Sequence, residues 1–433
     1  MNTSFPISTK TQKTEKNGMT VFSVHTSDDV TTVVGSFPAG KMYDTERAGV
    51  AAFLTARMLD QGTVTYSKEE LHDLLEGMGA SVSFDIDGAR GRFIVACMTR
   101  DLPVILEIAG DMLREPRFDP TDLGTMKKRV IAEIIAESDD PRSVAMSAFL
   151  RTLFPAGHPY HAPTSADLIA LVENVSVEDI RQMHDSCYGR GDLAVVGVGK
   201  TDHAVFADMC MRVFGALPLM SGETVLIPAP LPPSSRVVIH EEMPGKTSSV
   251  VFVGGALPFA ADNAEYDAFM VGMQILGGGM FANRLNKEVR EKRGLTYHTR
   301  SYVAGYQGMI PGYWYAMAMF PPRSFKEGTT LVLTEIESMV RGGITSRELA
   351  EKKEELVGRF VTMFDDRQVL ASLVLGSYEQ HIPIEHWDAY SARVNGMTTL
   401  QVNSALRTYL YPKKLVIASA GEKQKEHTRK KKK

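Results

Sequence analysis

Short segments in the first half of the chain alternate hydrophobic and polar residues, and this pattern predicts β-strands. Residues 81–87 and 90–98 lie on either side of Gly88, an arrangement that is typical of a β-hairpin. Residues 20–26 and 30–37 have a similar strand-like composition. Other stretches repeat their apolar residues every three or four positions, as amphipathic helices that pack on a sheet do. We therefore expect an α+β fold with a largely antiparallel sheet.

The two halves of the chain share three patterned segments in the same order. In the first pair, a Ser or Thr cap precedes a helix, a turn and an apolar strand that ends in glycine. The second pair is a long amphipathic helix that carries a Lys-Lys pair and reaches an Asp-Asp pair, and the third is a short apolar helix. The pairs are 176–199 with 398–421, 122–144 with 348–370, and 49–62 with 266–279. Three matches in register indicate the duplication of a single structural unit.

A proline-rich stretch at 228–233 lies where the two repeats should meet, and it predicts an extended, semi-rigid linker. We expect two homologous domains of about 200 residues, each a mixed, largely antiparallel sheet packed with helices. The predicted boundaries are a flexible N-terminus at 1–17, an N-terminal domain at 18–222, the linker at 223–235, a C-terminal domain at 236–421 and a basic tail at 422–433.

The composition is that of an ordinary globular protein of 433 residues, with 44% hydrophobic and 23% charged residues. The formal net charge is −4, although the last twelve residues include seven Lys or Arg. A mildly acidic body does not favour nucleic-acid binding. The basic end is expected to be a solvated tail, and binding to an anionic surface is the alternative.

The three cysteines are widely spaced and form no CxxC pair, which predicts reduced thiols. The N-terminal residues lack the apolar region of a signal peptide. No run of about 18 apolar residues occurs, so we expect no membrane-spanning helix. These features together predict a cytoplasmic protein that does not associate with membranes.

The segment 275–302 carries the most distinctive sequence of the chain. It contains a glycine triplet, a basic helix at 286–293, Gly294 and a strand predicted to begin near Tyr297. The sequence LNKEVREKRGLTY at 285–297, with FPAG and LFPAGHPY earlier in the chain, resembles the insulinase/pitrilysin-like metallopeptidases, also called inverzincins. The resemblance extends from about Gly18 to Gly421 and is greatest to bacterial and mitochondrial-processing-type members.

This resemblance implies a role for two residues that lie seven positions apart, Arg290 and Tyr297. In the family, such an Arg and Tyr reach across the chamber to the zinc site of another domain, where they hold the substrate backbone and stabilise the developing oxyanion. A guanidinium and a phenol are suitable donors for a carbonyl oxygen that becomes negative. The residues alone favour a plainer interpretation, in which Arg290 lies on a solvated helix face and Tyr297 is an ordinary strand aromatic. The surrounding motif is what favours the functional role.

The stretch Gly49–Thr63 occupies the place of the helix that carries the HxxEH zinc motif in this family. The two His bind zinc and the Glu activates the water. Aligned from the left, the motif positions hold Ala52, Thr55 and Ala56; aligned from the right, they hold Phe53, Ala56 and Arg57. Neither set can bind zinc, so we expect no cofactor in this chain and a zinc ion in a partner subunit.

Two further features have a counterpart in the family. A third zinc ligand is a Glu about 75 residues after the motif, and Glu133 occupies that place, where it is expected to be vestigial because one carboxylate does not make a zinc site. The glycine triplet Gly277, Gly278 and Gly279 has two interpretations. One is a mobile loop that contacts substrate, as the resemblance implies, and the other is a plain helix C-terminus.

The simplest hypothesis is a non-catalytic subunit of a heterodimeric zinc metalloendopeptidase. Its partner would be a homologous subunit that bears HxxEH, and its substrates would be peptides held in extended form. The alternative is an inert pseudo-peptidase that acts as a peptide-binding or assembly scaffold. An active peptidase with an unfamiliar metal site is disfavoured, because neither HExxH nor HxxEH occurs in the sequence.

Overall fold

The computed structural model describes residues 6–220, 225–279 and 283–422, and it contains two sheets packed with helices. The strands are β1 (Thr11–Lys16), β2 (Met19–His25), β3 (Val30–Phe37), β4 (Ser81–Ile86), β5 (Gly91–Met98), β6 (Leu193–Gly199), β7 (Val237–Glu242), β8 (Ser249–Ala256), β9 (Thr299–Ala304), β10 (Tyr313–Phe320) and β11 (Val416–Gly421). The predicted α+β class is confirmed. The predicted tail at 422–433 falls outside the described residues apart from Glu422.

The helices include several long amphipathic ones and three short segments of four to seven residues. They are α1 (Ile7–Lys10), α2 (Val50–Met58), α3 (Lys68–Gly77), α4 (Leu102–Arg114), α5 (Pro120–Ser138), α6 (Pro141–Leu153), α7 (Ser165–Asn174), α8 (Val177–Cys187), α9 (His203–Phe214), α10 (Tyr266–Gly277), α11 (Phe325–Gly342), α12 (Ser346–Thr362), α13 (Arg367–Glu379), α14 (Glu385–Asp388), α15 (Tyr390–Gly396) and α16 (Thr399–Tyr409). No helix in the described ranges has the length and apolar composition needed to cross a bilayer.

The two sheets have the same topology. The first has the strand order β1-β2-β6-β3-β5-β4, and the second has the order β7-β11-β8-β10-β9. The pairs β2–β6 and β7–β11 are parallel, whereas every other neighbouring pair is antiparallel. Apart from the added edge strand β1, the second sheet repeats the first strand for strand, as the internal repeat predicts.

Matching caps begin the repeated helices. Ser176 begins α8 and Thr398 begins α16, and each forms a reciprocal capping box with the third residue of its helix. The predicted Asp-Asp pairs separate two helices in each half, because Asp140 caps α6 and Asp366 caps α13. Each of these carboxylates accepts two backbone N–H groups that have no partner within the helix.

The two halves exchange one helix each. Helix α6, from the first half, packs on β11 and β8 of the second sheet, while α13, from the second half, packs on β6 and β3 of the first. Phe149 of α6 is buried in a cluster with Phe252, and Val374 of α13 is buried with Val196. Both faces of each sheet are therefore covered, and neither sheet has a complete core without the other half.

A hydrogen bond and an ion pair link the halves beside α13. The guanidinium of Arg90, 8% exposed, lies 2.5 Å from Asp192, and the Tyr378 hydroxyl donates to the same carboxylate at 2.7 Å. Arg92 lies 2.5 Å from Glu379, whose side chain is 1% exposed. Because a buried charge without a partner is strongly destabilising, these pairs hold α13 in one position on the first sheet.

Candidate functional site

Helix α2 begins at a buried carboxylate. Asp44 Oδ2 accepts the backbone N–H of Ala51 at 2.7 Å and that of Ala52 at 3.2 Å. Burial raises the pKa of Asp44, although these hydrogen bonds and Arg47 oppose the shift. The preceding Gly49 has a φ of +80°, a conformation that glycine adopts without strain. Gly49, which the resembling family also has at this position, therefore sets the direction in which α2 enters the core.

The left-hand alignment of the zinc motif falls on the core-facing side of α2. Ala52 and Thr55 are fully buried and Ala56 is 4% exposed. The Thr55 hydroxyl donates to the Ala51 carbonyl at 2.7 Å, and α2 packs on α8 over this region. Side chains at these positions are buried away from solvent.

The right-hand alignment places one of its histidine positions, Arg57, beside Glu133. Arg57 Nη2 lies 3.8 Å from Glu133 Oε2, and the Arg57 guanidinium lies 4.9 Å from the centre of the Phe53 ring. Arg129, one turn earlier on α5, also donates to Glu133 at 3.1 Å. Of the two alignments, the one from the right is therefore the one that the geometry favours.

The residues around Glu133 do not fit zinc. A zinc site needs several His, Cys or carboxylate ligands, whereas Glu133 has two arginines as neighbours, Arg57 and Arg129. A guanidinium thus supplies positive charge beside the carboxylate. Within 6–220, 225–279 and 283–422, no three His, Cys, Asp or Glu side chains form a group that could hold a metal ion.

Arg290 lies on a π-helical turn, Asn286–Glu291, in place of the predicted α-helix at 286–293. Asn286 and Val289 are buried, while Arg290 faces solvent. The backbone N–H of Asn286 donates to Asn283 Oδ1 at 2.8 Å, and this bond anchors the start of the turn. Single π-helical turns frequently mark functional sites in proteins.

Tyr297 projects from a bend just before β9. The strand begins at Thr299, two residues later than Tyr297. Thr296 is buried, and its hydroxyl lies 2.9 Å from the His298 carbonyl oxygen and within reach of that of Met319. Tyr297 itself is 93% exposed. The buried threonine fixes the bend, so the neighbouring phenol ring is held out into solvent instead of joining the strand.

An arginine that sequence reasoning missed, Arg142, also lies near this surface. Burial lowers the pKa of His298, and the positive charges of Arg300, Arg142 and Arg290 lower it further. Arg142 belongs to the first turn of α6, the helix exchanged from the other half. No sequence signal links Arg142 to Arg290, because only the helix exchange brings them to one histidine. Together they place positive charge around His298, the neighbour of Tyr297.

The glycine triplet forms a tight turn at the end of α10. Gly279 has a φ of +74°, and a Cβ there would lie 2.3 Å from Glu355 Oε1. The Gly278 carbonyl accepts from Asn283 at 3.1 Å and lies 3.4 Å from Nζ of the buried Lys352. These contacts support the structural interpretation of the triplet. The residues that follow, 280–282, lie outside the described ranges, so contact with substrate stays a prediction.

The fold and these surfaces define a two-domain, peptidase-like protein that lacks a zinc-ligand set in its own motif helix. Family models agree: residues 20–164 match the insulinase family (peptidase family M16), and residues 174–356 match the M16 inactive domain. The chain belongs to the insulinase family.

Individual proteins give the same picture. An uncharacterized zinc protease of Mycobacterium tuberculosis is 26% identical over 373 residues, which is 84% of this chain and 82% of that protein. The crystal structure of a peptidase M16 inactive domain from Pseudomonas fluorescens superposes with a TM-score of 0.87 at 23% identity, covering 96% of this chain and 99% of that one. A protease from Helicobacter pylori superposes with a TM-score of 0.86 at 16% identity, covering 95% and 99%. These two structural matches show the shared fold.

Proposed function

We propose that this protein is the non-catalytic subunit of a heterodimeric zinc peptidase and that it supplies Arg290 and Tyr297 to a partner that bears HxxEH. The observation that carries the proposal is the contrast between the zinc-motif helix α2 and the surface that bears Arg290 and Tyr297. The motif helix holds Arg57 against Glu133, whereas Tyr297 is 93% exposed and Arg290 faces solvent nearby. Among the described residues, neither Arg290 nor Tyr297 has a side-chain hydrogen bond or an ion pair.

The proposed chemistry divides between the two subunits. Zinc in the partner would activate the attacking water. In this chain, the Arg290 guanidinium and the Tyr297 hydroxyl would donate hydrogen bonds to the substrate carbonyl oxygen as negative charge develops on it. Arginine stays protonated at any physiological pH, so its contribution needs no proton transfer. The rigid bend at Thr296 would limit the reorganisation needed to aim the phenol.

An extended peptide has a suitable docking edge close to this pair. Strand β9 lies at the edge of the second sheet and follows Tyr297 directly. Its outer N–H and C=O groups would pair with a peptide backbone, as in recognition by strand addition. Such pairing is independent of side-chain sequence, which fits a peptidase that accepts many unfolded peptides.

Co-expression with an HxxEH-bearing homologue tests the proposal. We expect cleavage of a quenched fluorescent peptide by the mixture and none by either chain alone. Arg290→Ala and Tyr297→Phe should each lower kcat by about 100-fold, because each removes one oxyanion donor. Arg293→Ala is the matched control: it removes a neighbouring exposed arginine that pairs with Glu327, and it should leave the rate unchanged.

The controls separate catalysis from assembly. Size-exclusion chromatography of each variant with the partner shows whether the complex still forms. Full activity of the Arg290→Ala and Tyr297→Phe complexes would contradict the assignment of these residues. A chain that forms no complex with any HxxEH-bearing homologue, and stimulates none, would contradict the proposal and favour an inert scaffold.

A further inference from the structure

A strongly basic groove lies on the second domain, away from the surface around Tyr297. It has a volume of about 520 Å³ and lies between the C-terminal end of α11 and the turn that joins α16 to β11. Five cationic side chains line it, together with one carboxylate: Arg236, Arg341, Arg407, Lys413, Lys414 and Glu337. The groove therefore carries a formal charge of +4 in a chain whose net charge is −4.

Most of these cations have no anionic partner among the residues that the structure describes. Arg236 contacts Glu337 and donates to the Pro412 carbonyl at 2.7 Å. The other four cationic side chains form no ion pair with any residue in the described ranges. Like charges that are gathered in one concave surface repel each other, and an anionic ligand would relieve that repulsion.

The internal repeat shows how the first domain covers its equivalent turn. In the first domain, the turn between α8 and β6 corresponds to the turn between α16 and β11, and the start of β2 corresponds to Arg236 at the start of β7. Residues 217–220 cover that first turn. The Arg190 backbone N–H donates to the Pro218 carbonyl at 2.9 Å, and its Nε donates to Leu217 O at the same distance.

The fit in the first domain is close. A Cβ on Gly191 would lie 1.5 Å from the Met220 carbonyl oxygen, and a Cβ on Gly18 would lie 3.1 Å from the Leu219 side chain. The covering segment is thus a short apolar peptide pressed on a glycine-rich turn. In the second domain, Tyr411 and Lys413 replace these glycines, and a Cβ at the second position excludes a segment that follows the same path. The equivalent turn borders the basic groove instead.

We propose that the groove binds an extended acidic segment of a partner protein. The floor of the groove is apolar, with Val340, Pro412 and the half-exposed ring of Tyr411. This floor suits one or two aliphatic side chains, while the surrounding cations suit flanking Asp or Glu. An apolar floor is less suited to a free phosphate, which offers charge but nothing to bury.

The groove is separate from the proposed catalytic surface. Arg293, which follows Arg290 closely, contacts Glu327 near the N-terminal end of α11, whereas the groove lies at the other end of that helix. Thirteen residues of helix between Glu327 and Val340 span about 20 Å. Loss of binding in the groove should therefore leave the chemistry at Arg290 and Tyr297 intact, and the two proposals can fail independently.

The test uses the full chain and a fluorescein-labelled peptide. The peptide contains Ala-Leu-Pro-Leu-Met, which supplies aliphatic side chains for the apolar floor, with two acidic residues on each side. A second peptide has Lys in place of the acidic residues. Fluorescence anisotropy should show saturable binding of the acidic peptide and none of the basic peptide. Raising the salt from about 0.05 to about 0.5 M should weaken this binding severalfold without abolishing it, because the apolar contacts persist.

Charge reversal locates the binding. The double variant Arg341→Glu/Lys413→Glu should weaken binding at least tenfold, whereas Lys128→Glu, which reverses an exposed charge on α5, should leave it unchanged. Circular dichroism confirms that each variant is folded. Equal binding of the two peptides, or equal loss in both variants, would overturn the proposal. Displacement of the peptide by a lower concentration of tripolyphosphate than of unlabelled peptide would also overturn it, since phosphate would then be the better ligand.

Discussion

Two histidines in place of Phe53 and Arg57 should create a zinc site with Glu133. These positions are four residues apart on α2, and one of them contacts Glu133 in the present structure. The variant Phe53→His/Arg57→His removes the guanidinium and supplies one imidazole beside the carboxylate and a second one turn earlier on α2. Ala56 is left unchanged, because it is 4% exposed and a Glu there would be buried. The variant should bind zinc without acquiring peptidase activity.

The energetic balance favours binding. The side chains of Arg57 and Glu133 are 36% and 41% exposed, so loss of their ion pair costs at most about 1 kcal/mol. Loss of the Arg57–Phe53 ring contact costs about 0.5–1 kcal/mol. Zinc at 100 times its Kd would stabilise the folded state by about 2.7 kcal/mol. The zinc-bound variant should therefore be at least as stable as the parent protein.

Calorimetric titration and thermal unfolding with and without zinc measure this outcome. Ala52→His/Ala56→His is the matched control, with the same spacing on the core-facing side of α2. It should unfold at a lower temperature and bind no zinc, because two imidazoles would overfill the packed core at these positions. Addition of Glu133→Gln to the first variant should weaken zinc binding. A folded Phe53→His/Arg57→His protein that binds no zinc, or zinc binding by the control, would refute the right-hand alignment.

Three further predictions concern the supports of the candidate site. Thr296→Val removes a buried hydroxyl that donates to a backbone carbonyl, and it should lower the unfolding free energy in urea by about 1–3 kcal/mol; no loss would show that the hydroxyl does not hold the bend. Burial raises the pKa of Glu348, but its hydrogen bonds with Arg284 and the Thr345 backbone outweigh burial and hold the pKa at about 2. The resulting stability is complete above pH 4.5 and is lost as the pH falls towards 2, so Glu348→Gln should flatten urea-unfolding stability across this window, and an unchanged slope would contradict the assignment. Gly279→Ala should lower the melting temperature because φ is +74°, whereas Gly358→Ala, a helical position with open space, should raise it; a higher melting temperature for both would refute the constraint at Gly279.

Local signals in the sequence were sufficient for the repeated architecture. The caps Ser176 and Thr398 lie where a polar residue precedes an apolar helical pattern, and both form capping boxes. The strand pattern around Gly88 corresponds to the antiparallel pair β4–β5. Helix caps and strand patterns depend on neighbours a few residues away, so they can be predicted without the tertiary fold. The π-helical turn at Arg290 and the late start of β9 are departures that periodicity does not encode.

Long-range partners required the tertiary structure. The exchange of α6 and α13 has no signature in either helix, because an apolar face indicates that a helix packs but not on which sheet. That exchange brings Arg142 to His298 and Glu379 to Arg92. The sequence alone does not distinguish the two alignments of the zinc motif, and only the Arg57–Glu133 contact favours one of them. The sequence alone thus determined the family, the repeat and the loss of zinc ligands. Which side of α2 faces the core and which faces Glu133 depended on the packing of helices distant in the chain.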